Sequence, residues 1–569
     1  MADNMTVEEF IKLPSTVDFV LRQSEYLNVF LTEHPEIVTT KSLLGGRYVV
    51  GYVNRADFDY LSEVLGTSLV SSLSIILGLL DRPSMEASGI TQSRQQPYLN
   101  INGQGVLFGI VDTGIDYTQD VFIYEDGTSK IKYLYDQTGT ENSPEGYYLG
   151  TEYTNEQINE ALKAENPFDI VPQRDDSGHG TFLASVAVGR EVGGFSSAAP
   201  NAELIVVKLR KARQYYLDMF FVPPDEENVF GSTAVMVGVE YILEKAQELG
   251  MPVVICLGLG STLGAHNGYS LFEEYLSRVS TLRGVCLCTA VGNESQAKHH
   301  TQGRLMDRGD ARNIDIRVGA AGANFNITIW SYISDRISIS LRSPTGELIS
   351  RIPARNGPST QVRLILENTT VIVTYYFPFE GSGDQLTAIR LINTTAGIWT
   401  ITVHGDIVLD GTYHAWLPLT GFVPPTVEFL EPSPYYTVVI PSTMLGGIAC
   451  GAYNSGNNSL YSESSWGPTR IGAIRPDLVA PGVGVGGYYP SGYGTMDGTS
   501  AATAIVAGAC VLMMQWGVVQ GNDLSLSTYQ IRAYLIRGCT RSENMIYPNN
   551  KWGFGILDLM NSFRLMREI

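Results

Sequence analysis

Hydrophobic and polar positions divide the chain into three textures. In the first, up to residue 92, helical spacing of apolar residues covers 7–11 and 16–30, a strand-like run covers 47–53, and 56–65 is helical again. A further apolar segment spans 67–80. The polar, proline-containing stretch 81–97 supports neither helix nor strand and predicts an extended linker. The second texture starts at Gly105. Its continuous apolar runs at 106–111, 203–208, 252–257 and 285–291 have the character of parallel strands buried on both faces. Helical segments at 232–249 and 269–283 lie between them, and this alternation predicts a doubly wound α/β sheet. The third texture interrupts the second. Short alternating segments at 327–330, 337–341, 371–375 and 399–403, separated by turns, predict an antiparallel sandwich or jelly roll. The α/β texture resumes after residue 437, so the all-β module reads as an insertion.

Composition narrows the functional classes. The 569 residues carry 38 Lys+Arg against 58 Asp+Glu, a formal charge of −20, which argues against nucleic-acid and membrane partners because both select a basic face. With 44% hydrophobic and 10% aromatic residues, the chain has ample material for packed cores. The acidic amino terminus lacks the basic-then-apolar order of a secretory signal, and the apolar runs at 69–80 and 501–516 fall short of the ~18–20 residues of a membrane span. The six cysteines sit in apolar stretches without CxxC pairs, the pattern of buried free thiols in a reducing compartment. An intracellular location is therefore expected. His266, His299 and His300 are read as surface histidines rather than metal ligands.

Three motifs carry the chemistry. Val111-Asp112-Thr-Gly-Ile-Asp ends the first buried strand, Ser177-Gly-His179-Gly-Thr opens one apolar helix, and Asp497-Gly-Thr-Ser500-Ala opens another. Carboxylate, imidazole and hydroxyl at such edges suit nucleophilic acyl transfer. His179 is the base that would activate Ser500, and Asp112 would orient the imidazole. The head of the Ser500 helix and the Asn293 amide, in Ala290-Val-Gly-Asn-Glu, are the candidate oxyanion donors. None of these motifs asks for a metal or a cofactor.

The order Asp112…His179…Ser500, with Gly-Asn293, Ser465-Trp-Gly-Pro and Arg475-Pro-Asp-Leu-Val-Ala-Pro-Gly, resembles the subtilisin family of serine proteases. The amino-terminal unit, the insertion at 135–175 and the β module between Asn293 and Ser500 further resemble the Csp proteases of spore-forming clostridia. That resemblance implies a subtilisin-like α/β fold in two parts, 93–315 and 426–569. It also implies an α+β (ferredoxin-like) propeptide at 1–92 and a jelly roll at 316–425. By the same resemblance the propeptide is cut by the enzyme itself and retained in the cleft, with the cut expected between Gln92 and Ser93. Leu257, Gly258, Leu259 and Gly260 match the substrate-binding strand. The implied substrate is one or a few proteins, specifically the zymogen of a spore-cortex hydrolase, cleaved by a processed monomer packaged in the spore. The chain departs from the family at Ala501, at Ala504-Ile505, where a Pro-His pair is usual, and at Gly258, where serine is common. Val121 replaces a calcium-ligating aspartate, so no calcium is expected there. The rival readings are a catalytically silent scaffold in germination signalling and a cytoplasmic housekeeping protease.

Overall fold

A computed structural model describes residues 6–65, 71–79 and 88–566. The apolar runs of the second texture form one sheet, in the spatial order Ser459–Leu460, Ile448–Asn454, Val285–Ala290, Val253–Leu257, Leu107–Asp112, Glu203–Lys208, Ile131–Asp136, Thr151–Thr154. Leu478–Pro481 lies parallel to Ile448–Asn454. The central pairings are also parallel, with Val111 opposite Val207 and Ile255 opposite Leu287. Side chains alternate between two cores. Phe108, Ile110, Val206, Val254 and Cys256 meet the helices His179–Val188 and Thr499–Met514. Leu107, Val111, Val207 and Ile255 meet Ser232–Leu249 and Leu271–Val279. Helices on both faces explain why these strands are apolar throughout. Thr499–Met514, with the following turn to Val519, is long and apolar enough to cross a membrane, yet every residue from Thr499 to Met514 is buried in this fold.

The amino-terminal unit is a three-stranded antiparallel sheet in the order Thr16–Arg22, Tyr48–Asn54, Val38–Leu43. Helix Val7–Lys12 opens it through a capping box between Thr6 and Glu9. The expectation of a helix over 16–30 is corrected, because the stretch splits into the strand Thr16–Arg22 and the helix Glu25–Glu33. Every residue from Thr16 to Val20 is buried, so the strand shows no two-residue alternation to read. Against the ferredoxin-like expectation, the described residues of this unit show three paired strands and one isolated bridge, Phe19 with Leu73. The linker expected over 81–97 is partly structured: Ile90–Arg94 is a short helix, while 80–87 fall outside the described residues.

The inserted module is a pair of antiparallel sheets. Six strands, including His300–Arg304, Ala323–Ser331 and Thr412–Trp416, face five, including Ala311–Val318, Arg336–Arg342 and Gly397–Ile407. One core lies between them, with Trp399, Ile327, Ile339 and Val373 among its members. The module starts before residue 316, because His300–Arg304 pairs with Thr412–Trp416 across it.

Candidate active site

Asp112 is the last residue of a central strand, His179 the first of a helix, and Ser500 the second of another. All three are buried, at the carboxyl-terminal edge of the sheet, where crossovers of this fold class leave a crevice. The His179 Nδ1–H donates to Asp112 Oδ1 at 2.7 Å. A carboxylate only accepts, so this bond holds the neutral ring with Nε2 as its basic nitrogen. The Thr113 backbone N–H donates to the same Oδ1 at 2.8 Å. Ser500 Oγ donates to the Gly258 carbonyl at 3.0 Å. A Cβ added to Gly258 would lie 3.0 Å from His179 Cε1, 3.4 Å from Ser500 Cβ and 2.7 Å from Leu183 Cδ1. Imidazole and hydroxyl thus converge over one backbone position, and glycine stands there because Leu183 fills the space of a side chain. Ala501, Ala504 and Ile505 are buried in the helix core behind Ser500.

Asn293 is placed by its own carbonyl. Its Oδ1 accepts from the backbone N–H of Thr499 at 3.2 Å and from Thr499 Oγ1 at 3.1 Å, which ties the amide to the head of the Ser500 helix.

Asp175 is a site residue that sequence reasoning did not single out. Its Oδ1 accepts from Thr113 Oγ1 at 2.7 Å and from the Gly178 N–H at 2.8 Å. Its Oδ2 accepts from the Thr181 N–H at 2.8 Å and from Thr181 Oγ1 at 2.6 Å. The buried carboxylate therefore bolts the loop after Asp112 to the first turn of the His179 helix. An acidic residue shortly before a helix start is a capping signal; only the fold reveals its second set of partners.

The chain itself occupies the groove beside Gly258. Ile76–Leu79 pairs antiparallel with Leu259–Gly260 on one edge, Leu79 opposite Leu259 and Gly78 opposite Gly260. On its other edge it pairs with Phe230–Gly231. Of the expected substrate-binding residues, Leu257 closes the strand Val253–Leu257, Gly258 lies under Ser500, and Leu259 and Gly260 bind this segment. The structure places Gln92 and Ser93, the expected cut, outside this groove. Both residues belong to the helix Ile90–Arg94, which packs against Leu559–Met566 through Ile90 and Phe563. Ser93 Oγ donates to the Gly89 carbonyl at 2.9 Å, and Arg94 donates to the Ser197 carbonyl at 2.9 Å. A helical turn cannot take the place of an extended strand between two strands.

Two further clusters exist only in the fold. The thiols of Cys286, Cys288 and Cys510 lie within 4.8 Å of one another in the core and are the group of potential ligands found among the described residues. All six cysteines are buried and free. The histidines read as surface residues are buried: His266 stacks on Trp416 at 4.2 Å, and His300 Nε2 lies 3.2 Å from His414 Nδ1. Burial lowers the His266 pKa to about 4 and the His300 pKa to about 3. Glu294 meets His299 Nδ1 at 2.8 Å, so it too is an internal residue. Val121 packs in the core of the α/β domain.

Comparison with known proteins agrees with this geometry. The family Peptidase_S8, the subtilase family, matches residues 103–342 and 430–555, and the gap between the two stretches falls inside the sandwich. The structure of the Clostridium perfringens CspB protease is similar with a TM-score of 0.74 and 31% sequence identity, covering 85% of this chain and 98% of that one. Subtilisin BL from Lederbergia lenta is 33% identical over 123 residues, 21% of this chain and 39% of its own length. The minor extracellular protease Vpr of Bacillus subtilis (strain 168) is 32% identical over 113 residues, 18% of this chain and 13% of its own. The chain thus matches less than half the length of these two curated relatives. It belongs to the subtilase family.

Proposed function

We propose that the protein is a serine endopeptidase that cleaves its own chain once, at the peptide bond after Leu80, and then acts on one or a few protein substrates. The observation that carries this reading is the strand Ile76–Leu79, held between Leu259–Gly260 and Phe230–Gly231 as an extended substrate would be. Leu259, the partner of Leu79, directly follows Gly258, whose carbonyl accepts the Ser500 hydroxyl.

In the reaction, Ser500 Oγ leaves the Gly258 carbonyl, gives its proton to His179 Nε2 and bonds to the substrate carbonyl carbon. Asp112, on Nδ1, stabilises the imidazolium that forms. The tetrahedral oxyanion receives the Asn293 amide N–H and the backbone N–H of Ser500 at the positive end of its helix. As the C–N bond breaks, His179 returns the proton to the leaving amine, and water releases the acyl group by the same steps in reverse order of roles.

Resemblance to the Csp proteases supports the finer parts of the reading. These are retention of the amino-terminal unit as a propeptide, a jelly-roll clamp, a spore-cortex hydrolase zymogen as substrate, and packaging with it in the spore. Purified wild type and Ser500→Ala chains compared by gel and amino-terminal sequencing test the self-cleavage. The expected result is two fragments from the wild type, the larger beginning at Asp81, and one intact chain from the variant. An uncut wild type overturns the self-cleavage, and a first residue of Ser93 overturns the register. Incubation of the processed protein with a purified cortex-hydrolase zymogen tests the substrate, and an uncut zymogen rejects it.

A further inference from the structure

We infer that the peptide-binding groove admits only glycine at the position paired with Gly260, and that Leu419 and Phe422, on the loop between the sandwich strands Thr412–Trp416 and Val427–Phe429, impose this selection. The inference rests on the protease reading for its consequence but not for its geometry.

The positions on either side of Gly78 carry large side chains. Leu77 is fully buried in the core that holds Phe230 and Ala234, and Leu79 is half-buried. Gly78 lies under a roof. A Cβ added to it would sit 2.9 Å from Leu419 Cδ2 and 3.2 Å from Phe422 Cζ, closer than carbon atoms approach without displacement. Ends of side chains often swing aside, but these two have nowhere to go. Leu419 and Phe422 are 2% and 3% exposed and share a core with Phe19, Ile76, Leu263 and Val439. In so filled an interior, added methyl groups meet strain.

The backbone of the roof is braced from both walls of the site. The Leu417 carbonyl accepts from Thr262 Oγ1 at 2.9 Å, just beyond the Leu259–Gly260 strand. The Thr420 N–H donates to Glu294 Oε1 at 3.2 Å, next to Asn293. The Leu417 N–H donates to the His299 carbonyl at 2.9 Å, and the Phe422 N–H to the Leu419 carbonyl at 2.8 Å. The insertion therefore supplies a wall of the groove, and it converts a position set by main-chain pairing into a size filter. The substrate class is a polypeptide in which glycine at this position is flanked by bulky apolar residues.

The test uses the full chain in two backgrounds. With Ser500 present, Gly78→Val is expected to slow self-cleavage at least tenfold, and adding Leu419→Ala to return the rate to within threefold of wild type. Phe422→Leu, which removes the contacting ring edge without emptying the site, is the second relieving variant, and thermal melts confirm that each chain is folded. With Ser500→Ala, docking is read without catalysis, as protection of residues 71–79 from added thermolysin. Gly78→Val is expected to raise the nicking rate at least tenfold, and the relieving variants to reverse it. Wild-type rates and protection for Gly78→Val overturn the filter, and so does a defect that neither relieving variant reduces. If the wild type never cleaves itself while the protection pattern holds, the self-cleavage falls and the filter stands.

Discussion

The amino-terminal unit and the inserted sandwich both pack on the α/β domain, but they are different kinds of object. The sandwich owns its core: Trp399, Ile339, Val373 and the other members all lie between residues 305 and 429, in its own strands and loops. It touches the α/β domain through a polar–aromatic seam and through Leu419 and Phe422, which pack with Leu263 and Val439. In that seam Trp330, Leu386 and Trp416 meet Ala265, His266 stacks on Trp416, and Arg470 donates to Asp384 at 2.9 Å. The amino-terminal sheet closes neither of its cores alone, since even its helix-covered face also takes in Tyr216, Leu263, Leu419 and Val439. Val17, Phe19, Val49 and Val53 pack with Leu27, Phe30 and Phe58 of its own helices. Val20, Val50, Tyr48 and Tyr52 on the opposite face share a core with Ala234, Val235 and Tyr275 of the α/β domain. An element with one apolar face left to a partner depends on that partner for folding; an element closed on itself does not.

The widest test of this contrast separates the pieces. Expressed alone, residues 300–429 are expected to unfold in one cooperative thermal transition, whereas residues 1–80 alone are expected to show none. A cooperative melt from the amino-terminal piece breaks the comparison. Point variants come next. Val50→Asp places a charge on the shared face and is expected to cost several kcal/mol of docking, abolishing self-cleavage while leaving the sandwich folded. Trp399→Ala is expected to cost about 3–5 kcal/mol within the sandwich, visible by calorimetry, with self-cleavage retained at a temperature where the sandwich remains folded.

A smaller effect distinguishes the two seams by pH. The folded-state pKa values of His266 and His300, about 4 and about 3, lie below the ordinary 6.5, so the unfolded chain binds more protons between these limits. The stabilisation is complete above pH 6.5 and is lost as the pH falls toward 4. Burial is the main cause; Arg470 adds to it at His266, and His266 adds to it at His300. A melting temperature that declines over this window, and declines less in His300→Gln, is the expected result. The smallest effect is at Arg22, which reaches Glu274 of the α/β domain and Glu380 of the sandwich with its side chain 40% exposed. Arg22→Ala is expected to change stability by only about 0.2–1 kcal/mol and to lose even that at high salt.

Much of this architecture was legible in the linear pattern because its causes are local. The strand Glu203–Lys208 and the helix Ser232–Leu249 have the limits that their apolar runs suggest. Asp112, His179 and Ser500 stand where motif and strand–helix context place them, and the fold brings Asp112 and His179 to 2.7 Å. Legibility failed where a residue's role depends on a distant partner. Asp175 reads as a helix-start acid, although one of its four hydrogen bonds holds Thr113. The apparent surface histidines are interior because Trp416 and Val438 come back across them. The segment seated in the groove was not legible either: Gln92 was singled out by resemblance, whereas seating takes an extended strand and Ile76–Leu79 forms it.

By itself, then, the order of residues determined the sheet, the insertion and the identity of the reacting groups, since periodicity and short motifs express backbone geometry a few residues at a time. Tertiary structure alone decided which segment lies in the groove, what roofs it and which side chains brace the site. Those outcomes depend on distances between positions hundreds of residues apart, such as the 2.9 Å between a Gly78 Cβ and Leu419, and such distances exist only once the three units have packed together.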